Sequence, residues 1–240
     1  MRPVRLTGNR RQHDPDHKAA LTAMRQLDAH RALGHLATAG SLTTGPDAET
    51  VRTALVADWH TAHADGRHPI MLAANRADVS DLNRQASDLL CRHGQLCDPI
   101  WHNHRIEFAL SDRVVAHRNR HKLGLLNGHQ ATVTHADKTG LGIRLDDGTA
   151  IHVPNEYISA GHLSRGYAVT AHKAQGMTCD DAYFLGDDSL YNELAYTALS
   201  RGRHTNRYYA GIRLALSRSR AKTAAIDQSP DIADEGISQP

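Results

Sequence analysis

Phenylalanine and tryptophan are scarce in this sequence, two residues of each in 240, and cysteine is rarer than a secreted scaffold needs, with three. An odd cysteine count in a chain of this length excludes a disulfide framework. Long apolar runs are missing as well. The longest, Ile70 to Ala74, and shorter runs such as Tyr183 to Leu185 fall far short of the roughly 20 residues that cross a bilayer. The opening Met1-Arg2-Pro3-Val4-Arg5-Leu6 leads into no apolar signal-peptide core. The expectation is a soluble chain in a reducing, cytoplasmic setting with no membrane partner. No Gly-x-Ser-x-Gly elbow occurs, which leaves a hydrolase triad without its strained turn, and no internal repeat is visible. Lysine is scarce too: only Lys18, Lys122, Lys138, Lys173 and Lys222 among 28 basic residues. The net charge of +2 does not announce a nucleic-acid partner. Codon bias in a GC-rich genome accounts for the bulk of this composition, so function rests on individual arginines, which fork onto phosphate and keep their charge when half buried. Eighteen histidines add a charge reserve near and below neutrality.

What is present fits one domain, or one and a half, of ordinary size. Hydrophobic residues make up 40%, which excludes a wholly disordered chain. Asp14-Pro15 is a helix start, a capping acid followed by proline at the first helical position. Two helical stretches follow, one marked by Ala20, Met24 and Leu27 and the next by Val51, Leu55 and Trp59, with a turn-rich break from Gly40 to Pro46 between them. Asp65-Gly66 ends the second. Pro69 to Ala74 reads as a buried strand, and Asn75 opens a helix carrying Val79, Leu82, Ala86 and Leu89. Helix, strand, helix is α/β architecture.

After about Trp101 the texture changes. Asp112 to Ala116, Ala131 to Thr134, Leu141 to Leu145 and Thr149 to Val153 are short strands, set apart by the turn signals Asn127-Gly128 and Asp146-Asp147-Gly148. They predict a small antiparallel barrel. From Arg165 the α/β pattern returns with a strand Tyr167 to Thr170, a strand Ala182 to Leu185 and a helix from about Ser189 to Leu199. The barrel, 109–164, thus interrupts one α/β domain whose parts are 1–108 and 165–216. Residues 217–240 have no apolar period and read as a disordered tail.

Two segments carry chemistry. Tyr167 to Thr178 runs from an apolar strand into a polar loop, Thr170-Ala171-His172-Lys173-Ala174-Gln175-Gly176, at a strand's carboxyl end, where α/β sheets bind ligands. Tyr196 to Arg203 sets Arg201 and Arg203 at the end of a helix stopped by Gly202, suited to phosphate oxygens. Each alone also fits a plain reading, a solvated turn and a helix end that favours arginine for its dipole. Their pairing in this order favours function.

With both motifs in view, the chain resembles the C-terminal part of a superfamily 1 helicase, similar above all to RecD-like motors and to the helicase region of MobF-type conjugative relaxases. Thr170 to Gly176 matches that family's motif V and Ala195 to Arg203 its motif VI. Leu6 to Gln12 resembles motif IV, with Asn9, Arg10 and Arg11 at its characteristic positions. Asn75 to Val79 with Leu82-Asn83 resembles the subfamily's strand and helix. Asp112 to Val153, with Arg118-Asn119 and Leu126-Asn127-Gly128, resembles its inserted SH3-like barrel. The similarity extends over about Leu6 to Leu214. It implies a second RecA-like domain of P-loop NTPase type. Arg201 becomes the arginine finger on the γ-phosphate and Arg11 a second phosphate contact, roles in which fixed positive charge aids phosphoryl transfer. Gln175 and Gly176 would lie beside ATP together with Arg11 and Arg201. Thr170, His172 and Lys173 would touch single-stranded DNA, and Arg118, Asn119 and Asn127 would help guide it. Movement would come from nucleotide-driven closure of two RecA-like domains, running 5′ to 3′.

Such a motor also needs a Walker A loop and an acidic strand for Mg2+. No Gly-x4-Gly-Lys occurs in these 240 residues. Tyr183-Phe184-Leu185-Gly186-Asp187-Asp188 imitates the magnesium strand but follows motif V, where the family has a structural strand and a helix cap. The resemblance therefore implies a first RecA-like domain with Walker A and B in another chain or domain, which would hold the Mg2+. The rival reading is a non-catalytic single-strand-binding remnant or adaptor. A third, a zinc module, rests on Cys91, Cys97, His102 and His104, whose Cys-x5-Cys spacing is not that of a zinc knuckle; no metal ligand is assigned.

Overall fold

The computed structural model describes residues 14–96, 99–103, 106–175, 177, 179–186 and 192–211. Motif IV with Arg11, Gly176, the acidic pair Asp187-Asp188, Cys97, His104 and the 217–240 tail lie outside the described residues.

Asp14 caps the first helix by accepting the His17 N–H at 2.8 Å, and Pro15 follows it. That helix, α1, spans Pro15–Arg25, and α2 spans Ala29–Thr38. Leu27, expected on the apolar stripe, instead sits in the turn between them with φ of 61°, exposed to solvent. The turn-rich break contains a strand, β1 (Leu42–Gly45), too short and polar to show a period. Then come α3 (Ala48–Ala64), β2 (Pro69–Ala73) and α4 (Arg76–Arg92), the last capped by Asn75, which accepts the Asp78 N–H at 2.8 Å. A short hairpin, β3 (Pro99–His102) and β4 (Glu107–Ala109), precedes β5 (Arg113–Ala116), β6 (Gln130–Asp137), β7 (Gly140–Leu145), β8 (Ala150–Pro154), helix α5 (Asn155–Ser159) and β9 (Leu163–Arg165). The chain closes with β10 (Ala168–Thr170), β11 (Cys179–Leu185), α6 (Asn192–Leu199) and β12 (Gly202–Gly211).

Five strands form a wholly parallel sheet in the order β1-β12-β11-β2-β10. Strand side chains alternate between its faces. Leu72, Val169, Phe184 and Tyr208 meet α1, α2 and α6 on one face, while Met71, Ala168, Tyr183 and Tyr209 meet α3 and α4 on the other. Each such large side chain, once buried, stabilises the fold by about 1.5–3 kcal/mol. The fold class is the expected α/β, with two strands added to the sheet: β1 at its edge, and the long strand β12 between β1 and β11. Its polar first half conceals it. Gly202 begins that strand and is not a helix-stopping cap. A Cβ there would stand 2.2 Å from the Thr205 carbonyl oxygen, and Asn206 bonds both the N–H and the C=O of Gly202.

The second sheet is antiparallel, in the order β8-β7-β6-β5-β9. Gly128 (φ 91°) and Gly148 (φ 90°) provide the expected left-handed turn positions. Val114, Val133, Leu141, Ile143 and Val153 form its core with Trp101 and Phe108 of the hairpin and Tyr157 and Ile158 of α5. In chain order this sheet lies between α4 and β10, and its two ends emerge beside each other at Asp112 and Arg165.

Candidate nucleic-acid interface

A cleft of about 970 Å³ separates α4 and β10 of the parallel sheet from β5, β9 and the Asn127 turn of the antiparallel one. Thr170 and Lys173 line one wall with Arg76 and Arg84, while His117, Asn127 and Ser164 line the other. Asn75 caps α4 and so fixes Arg76 at that helix's first residue. β10 delivers Thr170 at its carboxyl end, and Ala174 N–H bonds back to the Thr170 carbonyl at 3.1 Å, turning Lys173 toward the cleft. Arg84 is flanked by Asp81 and Asp88, and Arg165 by Glu107 and Asp112. Arg76 and Lys173 have no carboxylate partner among the described residues. They are the cations this cleft offers to an anion.

Lys173 Nζ lies 2.7 Å from His117 Nδ1, and His117 Nε2 lies 2.7 Å from Ser164 Oγ. Burial first, then the charges of Lys173, Arg76 and His162, push the His117 imidazole down to about 4. The neutral ring accepts from the lysine ammonium at Nδ1 and donates from Nε2 to Ser164, whose hydroxyl donates to the Arg165 carbonyl at 3.1 Å. Burial and Arg76 likewise lower Lys173. Two cations and a neutral imidazole thus crowd one spot with no carboxylate paired to either cation among the described residues, an arrangement that an incoming phosphate would relieve.

The other sequence candidates fall elsewhere. His172 and Gln175 are exposed on the turn after β10 and do not line the cleft. Arg118 is exposed, 3.2 Å from His162 Nε2, and Asn119 Oδ1 accepts the Asn127 N–H at 2.7 Å, holding that cleft-lining turn. Arg201 is half-buried at the end of α6, its Nε donating to the Thr197 carbonyl at 2.7 Å and its guanidinium to Ser200 Oγ at 2.8 Å. Strand register sets motifs V and VI at opposite ends of the sheet. Thr170 pairs with Ala73, where β2 ends, while Cys179 pairs with Gly202, before the level of Pro69 where β2 begins. The four steps from Pro69 to Ala73 are about 13 Å at ~3.3 Å per residue. The segment carrying Gln175 joins these ends.

No family model matches the chain. A conjugal transfer protein TraA of Agrobacterium fabrum is 31% identical over 188 residues, covering 72% of this chain and 17% of that protein. A probable TraA of Sinorhizobium fredii is 29% identical over 194 residues, with 78% of this chain and 17% of that protein covered. The chain therefore spans only 17% of the length of these relatives. A Bacteroides Pif1 helicase, solved in complex with ADP-AlF3 and ssDNA, superposes with a TM-score of 0.57 at 17% identity over 94% of this chain and 57% of that one. The Pif1 helicase of Candida albicans gives 0.51 at 16% identity, over 90% and 59%. The chain has a Pif1-helicase-like fold and is related in sequence to TraA conjugal transfer proteins.

Sequence reasoning assigned no role to three residues of this helicase-like chain: Arg76, Asn83 and His117. The first two lie in segments quoted for their resemblance, Asn75 to Val79 and Leu82-Asn83, yet a residue one position inside a helix carries no signal of the cleft it borders. His117 was one histidine among eighteen. Its burial makes a pH prediction with a definite sign. A depressed imidazole stabilises the fold fully above the unfolded value near 6.5, and that contribution is lost as pH falls from 6.5 through about 4. Thermal melts between pH 7.5 and 4.5 should show wild type losing more stability than His117→Gln. Parallel curves would mean that His117 takes up its proton freely.

Proposed function

We propose that this chain is the C-terminal motor half of an ATP-dependent 5′-to-3′ DNA helicase of conjugative-relaxase type. The observation that carries the reading is the cleft where motif V meets the antiparallel sheet, its wall bearing Arg76 and Lys173, which pair with no carboxylate among the described residues. Single-stranded DNA would run there, its phosphates met by Arg76 and Lys173 and its register checked by Thr170 and Asn127. His172 would meet the strand as it leaves the cleft, and Arg118 with Asn119 would support the far wall. The antiparallel sheet would serve as the SH3-like strand guide. At the sheet's other end Arg201, with Arg11, would reach the γ-phosphate of an ATP whose Mg2+ and phosphates are cradled by a domain bearing Walker A and B. Arg201 would have to swing away from Thr197 and Ser200 to do so. Gln175 and Gly176, on the segment between the two ends, would couple nucleotide state to DNA grip.

The test is titration of a fluorescent oligonucleotide at several salt concentrations. With two to four phosphates neutralised, log affinity should fall against log salt with a slope of roughly −1.4 to −2.8 on single strands. Lys173→Ala and Arg76→Ala should each weaken binding and flatten the slope by about 0.7, whereas Arg31→Ala, on the exposed face of α2, should do neither. Absence of binding at low salt, or equal effects of Arg31→Ala and Lys173→Ala, refutes the cleft as the DNA track. Because the 240 residues hold no Gly-x4-Gly-Lys, ATP turnover should require an added polypeptide carrying that loop. DNA binding without turnover in that mixture would mark the chain as a non-catalytic adaptor.

A further inference from the structure

The antiparallel sheet carries a second cluster of chemistry away from the cleft. His135 on β6 pairs across to Gly142 on β7, and Gly142 pairs to His152 on β8, so two imidazoles flank a glycine in one row. A β-bulge between Val133 and His135 puts them there. Val133 faces the core opposite Ile143, and the extra residue turns His135, and Asp137 after it, to the outer surface that His152 shares. The glycine is needed for the arrangement: a Cβ on Gly142 would stand 2.0 Å from the His135 ring, which lies over that bare backbone.

The side chains are oriented as well as gathered. Asp137 Oδ1 accepts from Thr139 N at 2.7 Å, Thr139 Oγ1 at 2.6 Å and Gly140 N at 3.1 Å, bonds that hold the carboxylate below its ordinary range. The threonine hydroxyl spends its proton on Asp137, so its oxygen accepts from His152 Nε2, 2.9 Å away. That fixes the tautomer and leaves the His152 Nδ1 lone pair facing Asp137 Oδ2 at 3.8 Å. A cation there, either a proton on Nδ1 or a metal ion held by both atoms, would satisfy this pair. One ligand atom from each of His135, Asp137 and His152 lies within 4.8 Å of the others, and ligands about 2.1 Å from a tetrahedral ion stand roughly 3.4 Å apart. Small rotations of exposed side chains close the difference. Two imidazoles and one carboxylate suit a borderline ion such as Zn2+ and do not suit Mg2+ or Ca2+.

We propose that His135, Asp137 and His152 bind a divalent transition-metal ion of the Zn2+ class, with Thr139 as the positioning residue that sets the His152 tautomer and with water completing the coordination. The ion would clamp β6 and β8 across β7, stiffening the outer face of this sheet. This site is separate from the stretch around Cys91 and His102 that the sequence offered for zinc.

The experiment uses the untagged full chain, freed of metal with a chelator and titrated calorimetrically with Zn2+, against His152→Gln, Thr139→Val and Thr139→Ser. Wild type should bind one equivalent more than His152→Gln. Thr139→Val should bind it at least about tenfold more weakly, within the 10–100-fold typical of lost orienting partners, with an unchanged melting temperature in the absence of metal, and Thr139→Ser should restore the affinity. Identical isotherms for wild type and His152→Gln would overturn the proposal, as would equal affinity for Mg2+. Should His152→Gln fail to fold, the Val and Ser variants of Thr139 decide alone: equal Zn2+ affinity in the two overturns it.

Discussion

Replacing Asp112 with alanine is expected to destabilise the protein by about 3–5 kcal/mol, the range seen when one partner of a buried charge pair is removed. Asp112 is fully buried where the chain enters the antiparallel sheet, and Arg165 and Tyr167 stand where it leaves. The carboxylate ties these crossings together. Its Oδ1 accepts the Tyr167 hydroxyl at 2.6 Å, its Oδ2 accepts the Ala109 N–H at 2.8 Å, and Arg165 Nε lies 3.6 Å away as an ion pair too long for a hydrogen bond. Burial, followed by the Asp112 charge, pushes the Tyr167 phenol far up, so it remains a donor. Alanine would take the acceptor from the Tyr167 hydroxyl and the Ala109 amide and leave the guanidinium only Glu107, 4.0 Å away. Asp112→Asn keeps an acceptor and should cost about 1–3 kcal/mol, and Tyr167→Phe, which leaves one carboxylate oxygen unmatched, should cost a similar amount. Urea unfolding at pH 7 measures all three. If Asp112→Ala lies within about 1 kcal/mol of wild type, the two crossings are held by packing alone.

Asp112 also shows which parts of this fold could be read from sequence. Local signals were legible because their physics is local: Asp14 and Asn75 announce caps, Asn127-Gly128 and Asp146 to Gly148 announce turns, and Val51, Leu55 and Trp59 announce a buried face. Strands that break the period were not. β12 begins Gly-Arg-His-Thr-Asn and reaches only Tyr208-Tyr209-Ala210 before it ends, so its place in the middle of the sheet comes from its neighbours. Leu27 fits a helical stripe by spacing, yet the chain turns at that residue. The cleft followed the same division. Thr170 and Lys173 stood out because they belong to a motif, whereas Arg76 and His117 acquire meaning only when α4 and β5 are brought face to face. Ordinary pairs become a site through tertiary contact, which no spacing records.

Asn83 carries the second large effect. Leucine there should destabilise the chain by about 3 kcal/mol or more, because it strands buried backbone groups at about 1–3 kcal/mol each. β10 is the outermost strand of the parallel sheet, and Asn83 completes its free edge from α4. Its Oδ1 accepts the N–H groups of Tyr167 and Ala168, each at 2.9 Å, while its Nδ2 donates to the Ala168 and Val79 carbonyls, each at 3.0 Å. A single amide thus locks a three-residue strand whose end is Thr170. If the cleft is the DNA track, the consequence reaches binding as well as stability. At a temperature where Asn83→Leu remains folded, oligonucleotide affinity should fall, because Thr170 and Lys173 are no longer held in place. The salt slope should stay near that of wild type, because no phosphate contact has been deleted. Asn83→Asp keeps the acceptor for both N–H groups and should bind DNA better than Asn83→Leu, although its buried charge weakens the fold. Wild-type stability in Asn83→Leu would mean that β10 needs no partner at its edge. A slope reduced as far as in Lys173→Ala would mean that the amide meets the DNA itself.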